Sequence, residues 1–510
     1  MAQPAFAERA GEVEIKLALP ARWAADPAAL VARIAAVPAL ARRKATQQAV
    51  HSVYYDTPTQ ALRQQRATLR LRRVGADRGA QWLQTLKTAG RCDSALSQRG
   101  EWELPVAGPA LELGQFADTP WPALDPEGVL AAALEPCFAT DFERTRWTLR
   151  VPGGGRVEVA LDIGRIVAQE CQAPIAELEL ELLEGPPAAL FALARRIARS
   201  TPLLPLAASK AERGFALRRQ AGSGPEAMSA RPVALPSGLS LRAIARQVLG
   251  EAFLQFSANL HALQQARAPD APELLHQARV GWRRFRSLHR LLRPGLPALP
   301  PWAPLGPLLA ALGALRDLDV ARLDTLPPLA QDFVADAAQR RRAWQDLQAA
   351  LEQAAQQALE AVHQALQAPA VGQVLLAWVE WLETLDGPLV DAAAAPPLPE
   401  PKPARRWLRR RTRDLAKRLD GALAEAAHGG GMDAQHRARI LAKRLRYASE
   451  AFAALLPGRE RRRHAQALAW QNRLGATRDT VQAALLAGQH GAAPELVAFL
   501  RGVAAGRKHR

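Results

Sequence analysis

The chain has 510 residues, 49% apolar and 23% charged, enough for two large or three ordinary domains with their own cores and incompatible with a largely disordered chain. Three cysteines (Cys92, Cys137, Cys171) cannot form a disulfide framework, and no Cys/His cluster has zinc spacing; without a signal-peptide pattern or an 18-residue apolar run, a cytoplasmic, non-membrane protein is expected. The net charge of +18, from 67 Lys and Arg against 49 Asp and Glu, calls for a polyanionic partner, and most of it lies late in the chain: residues 1–220 hold 28 basic and 24 acidic side chains (net +4), leaving +14 for residues 221–510.

In chain order, residues 11–183 show short segments of period-2 alternation separated by turn chemistry such as Gly75-Ala-Asp-Arg-Gly79 and Pro152-Gly-Gly-Gly-Arg156. The alternation predicts strands over 11–19, 49–55, 67–74, 80–88, 97–104, 142–151, 156–166 and 174–183, and eight strands suit a closed antiparallel barrel. Helical spacing interrupts them at about 26–37, 125–136 and 187–200. Residues 220–238, rich in Ala, Gly, Ser and Pro, read as a linker. Beyond it strand signals vanish, and amphipathic helices are predicted over 239–266, 271–292, 328–368, 404–427, 434–456 and 461–487. The fold class is therefore α+β and multidomain: a β tunnel barrel over 8–219, a linker, and an all-α bundle over 239–506.

The strands place charged residues in phase. Glu12, Glu14 and Lys16 share one face while Val13, Ile15 and Leu17 share the other. Arg70 with Arg72, Arg99 with Glu101 and Glu103, Arg144 with Arg146, Glu158 with Asp162, and Glu177 with Glu179 and Glu181 repeat the pattern. Like charges across a solvated sheet destabilise it, so the charged face is expected to turn inward and enclose a polar tunnel. Buried unpaired charges cost several kcal/mol each. A charged ligand relieves that cost when cations grip an anion and carboxylates grip bridging metal ions. Oxygen-only donors suit Mg²⁺ or Mn²⁺, and the ligand that fits is a polyphosphate-like chain.

Glu12-x-Glu14-x-Lys16, Tyr54-Tyr55-Asp56-Thr57-Pro58, Thr68-Leu69-Arg70-Leu71-Arg72, Leu86-Lys87, Arg99-x-Glu101-x-Glu103, Arg144-x-Arg146, Glu177-x-Glu179 and Ser209-Lys210-x-x-Arg213, in this order, resemble the CYTH domain of the triphosphate tunnel metalloenzymes over residues 11–217. The resemblance implies hydrolysis of the terminal phosphoanhydride of tripolyphosphate. It implies one metal on Glu12, Glu14 and Glu179, and a second, water-orienting metal supported by Asp162 and Glu177, with Glu179/Glu181 open as an alternative pair. It further implies that Arg70, Arg72, Lys87, Arg99, Arg144, Arg146, Lys210 and Arg213 bind the phosphates, and that Lys16 sits near the scissile or leaving phosphate with Tyr54 or Tyr55 beside it. Lys16, Glu12, Glu14 and Asp162 are the candidate catalytic residues.

The helical region contains an internal repeat: His276-Gln-Ala-Arg279-Val-Gly-Trp-Arg283-Arg284-Phe-Arg286 recurs as His436-Arg-Ala-Arg439-Ile-Leu-Ala-Lys443-Arg444-Leu-Arg446. Leu312-Gly-Ala-Leu-Arg316-Asp317 recurs as Leu474-Gly-Ala-Thr-Arg478-Asp479, and these Arg-Asp pairs read as salt bridges rather than ligands. His276, Arg279, Arg283 and Arg286 form one helical stripe, His436, Arg439, Lys443 and Arg446 another, and two facing stripes make a groove for an extended polyanion. The segments are similar to a CHAD domain over 239–505, which implies inorganic polyphosphate as partner, with Arg284 and Arg444 among its contacts. Trp282 and Phe285 fall in phase with the apolar face, which disfavours nucleic acid. Together the two resemblances imply a bacterial inorganic triphosphatase. The competing reading is a polyphosphate-targeting protein whose barrel is weakly active or acts on thiamine triphosphate or a nucleoside triphosphate. Oligomeric state is left open.

Overall fold

The computed structural model describes residues 9–75, 79–88, 90, 94–151, 154–220, 224–335, 337–386, 389, 403–428, 431–456 and 478–508. Their contacts divide into two compact units, Met1–Glu226 with Gln367–Thr384, and Ala227–Leu366 with Leu385–Arg510.

In the first unit, alternating charge and hydrocarbon produce eight strands: β1 (Arg9–Ala18), β2 (Thr46–Asp56), β3 (Thr68–Val74), β4 (Gln81–Lys87), β5 (Leu96–Val106), β6 (Glu135–Val151), β7 (Gly155–Ala168) and β8 (Cys171–Glu184). They run in the order β5-β4-β3-β2-β6-β7-β8-β1, and pairing of β1 with β5 closes the circle. Every ladder is antiparallel. Closure removes free edges and leaves one face of each strand inside. The barrel expected from the sequence is therefore present, with an additional two-residue strand β9 (Leu204–Pro205) beside β1.

Of the helix expected over 125–136 only Val129–Ala132 is helical, with a separate turn of helix, Trp121–Leu124, before it. Asp125 accepts hydrogen bonds from the Leu130 and Ala131 amides, Gly128 turns at φ 72°, and residues from Glu135 are recruited into β6. That early half of β6 matters to the site. Phe138 and Phe142 share strand parity with Arg144 and Arg146, so the same face passes from apolar to charged along the barrel. Val50, Tyr54, Phe138, Phe142, Ile166, Ile175 and Phe215 form one core cluster. Phe215 comes from the helix Lys210–Gln220, whose Gly214 rests on Phe138: a Cβ there would lie 2.1 Å from the ring. Outside, Leu62, Leu69, Leu86, Leu104, Phe116 and Trp121 form a separate core cluster.

The second unit is helical. Leu241–Leu263, Ala271–Leu292, Ala338–Leu366, Ala404–Ala427 and Gly431–Ala451 match expected helices, with the 328–368 segment broken at Ala335 (φ 38°). Ser240 caps the first of them through the Ala243 amide. Gly281 brings the first two close together, since a Cβ there would sit 2.6 Å from the Phe256 nitrogen. Gly306–Asp319, which carries the Leu312–Asp317 motif, and Pro494–Lys508 are additional helices of this unit, whereas Pro369–Asp386 falls almost entirely in the first unit. Residues 461–477, expected to be helical and including Leu474–Thr477 of the repeat, lie outside the described residues; 478–489 are helical.

Candidate functional site

The barrel encloses a cavity of about 1270 Å³. Its walls carry Lys16 from β1, Arg70 and Arg72 from β3, Lys87 from β4, Arg99 from β5, Arg144 and Arg146 from β6 and Lys210 from the following helix. Among them stand Glu12, Glu14, Glu101, Glu103, Glu158, Glu179 and Glu181. Strand alternation alone explains how a sequence with ordinary charge content concentrates so many ions here: each inward position along a strand repeats every second residue.

Rather than standing unpaired until a ligand arrives, these charges are largely paired with one another. Lys87 contacts Glu12 at 2.9 Å and Glu101 at 2.7 Å, Arg70 contacts Glu101 at 3.2 Å and Glu103 at 3.4 Å, and Arg99 contacts Glu14 at 3.3 Å. Glu14 also pairs with Lys16. Arg144 grips Asp162 through Nε and Nη2, both at 2.7 Å, and reaches Glu179 at 2.5 Å. Antiparallel register puts complementary charges on adjacent strands, so the desolvation cost is offset within the wall.

Arg146 and Arg72 are the exceptions: Arg146 stands 3.8 Å from Glu158, and Arg72 stands 4.0 Å from Glu103, with its Nε donating to the Ser52 hydroxyl at 3.1 Å. Burial first, then the like charges of Arg70 and Arg144, push its guanidinium down to about 10. Tyr54 is lowered as well: burial opposes the shift, but Arg70, Arg72 and Lys210 outweigh it. This part of the cavity is short of negative charge.

Among the described residues, one group of three carboxylates has oxygens within 4.8 Å of one another: Asp162, Glu177 and Glu179. The register explains it, since β7 and β8 set Asp162 opposite Glu177, with Glu179 two residues along. Lys210 Nζ lies 2.6 Å from Asp162, 2.5 Å from Glu177 and 2.9 Å from Glu179. Burial opposes its charge, but the three carboxylates raise its pKa well above normal. Glu179 is held well below the carboxylate range because Lys210, Arg144 and Lys16 overcome burial. An all-oxygen triad already satisfied by a cation is donor chemistry that suits a hard divalent ion. Glu181 instead faces Glu14 and Glu158 across the ladders.

The expected site residues thus fall into two groups. Glu12, Glu14, Lys16, Arg70, Arg72, Lys87, Arg99, Arg144, Arg146, Glu179 and Lys210 line the cavity. Asp162 and Glu177 are fully buried, and Arg213 ion-pairs with Glu177, so this arginine supports the triad rather than the cavity wall. Of the two tyrosines left open, Tyr54 lines the cavity and stacks on Phe138 at 4.6 Å, with Arg70, Arg72 and Lys210 as the cations that act on its hydroxyl; Tyr55 packs with the outer cluster. Thr85, which takes part in the Arg70–Glu103 network at 3.2 and 3.1 Å, was not singled out by the sequence. Its in-phase position on β4, two residues before Lys87, was the available signal.

In the second unit the two repeat copies converge. Lys443 is pushed down to about 7 by burial and then by Arg283, Arg439 and Arg478, against the pull of Asp479. Burial, Arg478 and Arg283 lower Arg439; burial, Arg283, Arg316 and Arg478 lower Arg279; burial and Arg316 lower His276. Arg316 and Arg478, read from the sequence as salt-bridge residues, belong to this cationic centre, although Arg316 also meets Asp324 at 3.4 Å. Arg286, Arg290, Arg418 and Arg444 are a second group of mutually repelling charges, and Arg286 stands over Trp302 at 4.8 Å. Arg284 is buried and donates to Gln255 at 2.6 Å, and Arg446 pairs with Glu450 at 3.2 Å, so these two are not free cations of the groove. His436 is exposed.

These features define a class: a closed antiparallel barrel with an ion-lined interior, followed by a helical unit with a duplicated basic centre. Residues 10–215 match the CYTH domain family and residues 247–487 the CHAD domain family, so the chain carries a CYTH domain followed by a CHAD domain. It is similar to an inorganic triphosphatase of Haemophilus influenzae, 34% identical over 167 residues, which cover 32% of this chain and 45% of that relative's length. Among solved structures it is similar to the CHAD domain from the plant Ricinus communis (29% identity, 56% of this chain and 92% of that one, TM-score 0.46). It is also similar to a Hippeastrum protein with a dominant triphosphatase activity (20% identity, 41% and 96% covered, TM-score 0.28). No helix among the described residues is long and apolar enough to cross a membrane.

Proposed function

We propose that the barrel hydrolyses tripolyphosphate to diphosphate and phosphate with Mg²⁺ or Mn²⁺, and that the helical unit binds inorganic polyphosphate. The observation that carries the first part is the buried, under-compensated Arg72, flanked by Arg70 and Arg144 and facing a carboxylate-rich wall in one cavity. A cavity with this polarity takes an anion on one side and cations on the other. The similarity to an inorganic triphosphatase supports the same reading.

In this reading Arg70, Arg72, Arg144, Arg146 and Lys87 hold the phosphate chain, Arg being suited to bidentate contact. Glu12, Glu14 and Glu179, together with the Asp162–Glu177 pair beneath, would hold the divalent ions, which supply charge neutralisation and a more acidic water. Lys210, which holds the same three carboxylates, would exchange part of that contact for the phosphates. Water attacks the terminal phosphorus in line, the bond to the bridging oxygen breaks, and that oxygen leaves on diphosphate with Lys16 beside it. Arg213 keeps Glu177 oriented throughout.

The test is phosphate release from tripolyphosphate, thiamine triphosphate and ATP, side by side, with each metal. Tripolyphosphate is expected to be the best substrate. Faster turnover of ATP or thiamine triphosphate would replace the substrate assignment, and no release from any of the three would end the enzyme reading. Glu12→Ala or Glu14→Ala should lower the rate by about a thousandfold or more while the barrel stays folded.

The second part rests on the converging cations of both repeat copies around Lys443. Long-chain polyphosphate should displace single-stranded or duplex nucleic acid from the full chain at much lower phosphate concentration than the converse. The opposite ranking would assign the groove to nucleic acid.

A further inference from the structure

The helix Pro369–Asp386 begins some 50 residues after the Leu312–Asp317 motif of the first repeat copy, yet as far as Thr384 it belongs to the barrel unit. Its contacts converge on one place. Gly372 lies against Leu203, so closely that a Cβ would come within 2.4 Å of the Leu203 carbonyl oxygen. Gln373 donates to the Ala198 carbonyl at 3.2 Å, and Glu380 pairs with Arg195. Near its other end the buried Glu383 accepts the Ser94 hydroxyl at 3.0 Å.

Leu203 and Ser94 flank the two strands that share one edge of β1. β5 pairs with β1 as far as Leu96 opposite Ile15, and β9 takes over with Pro205 opposite Leu17. The hand-over falls on Lys16. Its amide donates to the Ala95 carbonyl at 3.1 Å and its carbonyl accepts the Leu206 amide at 2.9 Å. Ser94 also accepts the Leu96 amide at 3.2 Å, so its hydroxyl connects Glu383 to the start of β5. One helix therefore holds both partners of the residue expected beside the leaving phosphate.

We infer that this helix is a working part of the tunnel, and that Glu383 and Gly372 are positioning residues that set Lys16 and Glu14 by fixing the junction of β5 and β9. The inference rests on the triphosphatase reading. It also makes the barrel dependent on a segment far outside the first 226 residues.

The test uses the full chain carrying Glu383→Ala, Glu383→Gln, Ser94→Ala or Gly372→Val. Displacement of a catalytic group by about 1 Å can cost on the order of a hundredfold, so Glu383→Ala and Gly372→Val should lower kcat roughly tenfold or more. KM for tripolyphosphate should stay within about threefold, because Arg70, Arg72 and Arg144 lie on β3 and β6, away from this edge. Glu383→Gln should restore kcat to within about twofold, since its amide oxygen still accepts the Ser94 hydroxyl. An unchanged kcat in Glu383→Ala, a loss tracking only the folded fraction, or a Gln variant as poor as the Ala variant would each overturn the inference. If Gly372→Val does not fold, the Glu383 pair decides alone. If the unmodified chain releases no phosphate, the enzyme reading fails by itself. Hydrogen exchange at the Lys16 and Leu206 amides then decides: faster in Glu383→Ala but not in Glu383→Gln supports the positioning role, and equal rates refute it.

Discussion

Glu101 shows how a single cavity residue links site and stability. Burial would raise its carboxyl, yet Lys87 and Arg70 hold it down to about 2. Its ordinary value is 4.5, so the folded chain releases that proton more readily than the unfolded one, and the resulting stability is present above pH 4.5 and disappears as pH falls toward 2. The contribution is about 3 kcal/mol at most. Denaturant unfolding of Glu101→Gln at stepped pH should therefore give a flatter stability curve between pH 4.5 and 2 than the unmodified chain; identical slopes would remove Glu101 from the network. Lys443 poses the opposite case. Lowered to about 7, it is mostly neutral at pH 8, and a bound polyanion should return its proton. Calorimetry of polyphosphate binding at pH 8, in two buffers of different ionisation enthalpy, should report proton uptake that Lys443→Met abolishes.

At the scale of elements, the helix Lys210–Gln220 joins packing to chemistry. Phe215 packs edge-on against Phe138 at 5.0 Å while Lys210, one turn earlier, holds the Asp162–Glu177–Glu179 triad. Gly214→Val would force the helix away from Phe138, costing about 1–3 kcal/mol by overpacking, and would withdraw Lys210 and Arg213 from the carboxylates. Reduced thermal stability together with lost tripolyphosphate hydrolysis is expected, and full activity in a destabilised variant would uncouple the two. Ser209-Lys210-x-x-Arg213 was visible in the sequence, but the helix that carries it was not, because its apolar spacing is too weak to mark a face. The early half of β6 was hidden for a different reason: residues 125–136 have helical spacing, and only pairing with β2 and β7 pulls Glu135 onward into a strand.

For the whole molecule, the basic excess of residues 221–510 acts through geometry rather than through total charge. Reversal of Arg279, Arg283, Arg439 and Lys443 to Glu should eliminate polyphosphate binding, and the affinity of the unmodified chain should fall steeply with salt as several phosphates release counterions. Arg446→Ala should change binding little, because Glu450 already meets that charge. Retained binding after the four reversals would return both stripes to the role of solvated helix faces. The division into units bears on fragments too: residues 1–220 alone lack Gln367–Thr384, so a fragment ending there should be less active than the full chain.

Eight strands, apart from the early half of β6, together with their inward charges, the duplicated basic segments and the family resemblance, were legible in the order of residues, because strand and helix periodicity tie each residue to a face. Only the tertiary structure decided which charges pair across the barrel, that Asp162 and Glu177 lie beneath the wall, and that Arg316 and Arg478 join the cationic centre while Arg284 and Arg446 leave it. It alone brought Glu383 to Ser94 across 289 residues of chain. Periodicity fixes direction within an element, but partners across ladders and between distant helices are chosen by register and packing, which no local spacing encodes.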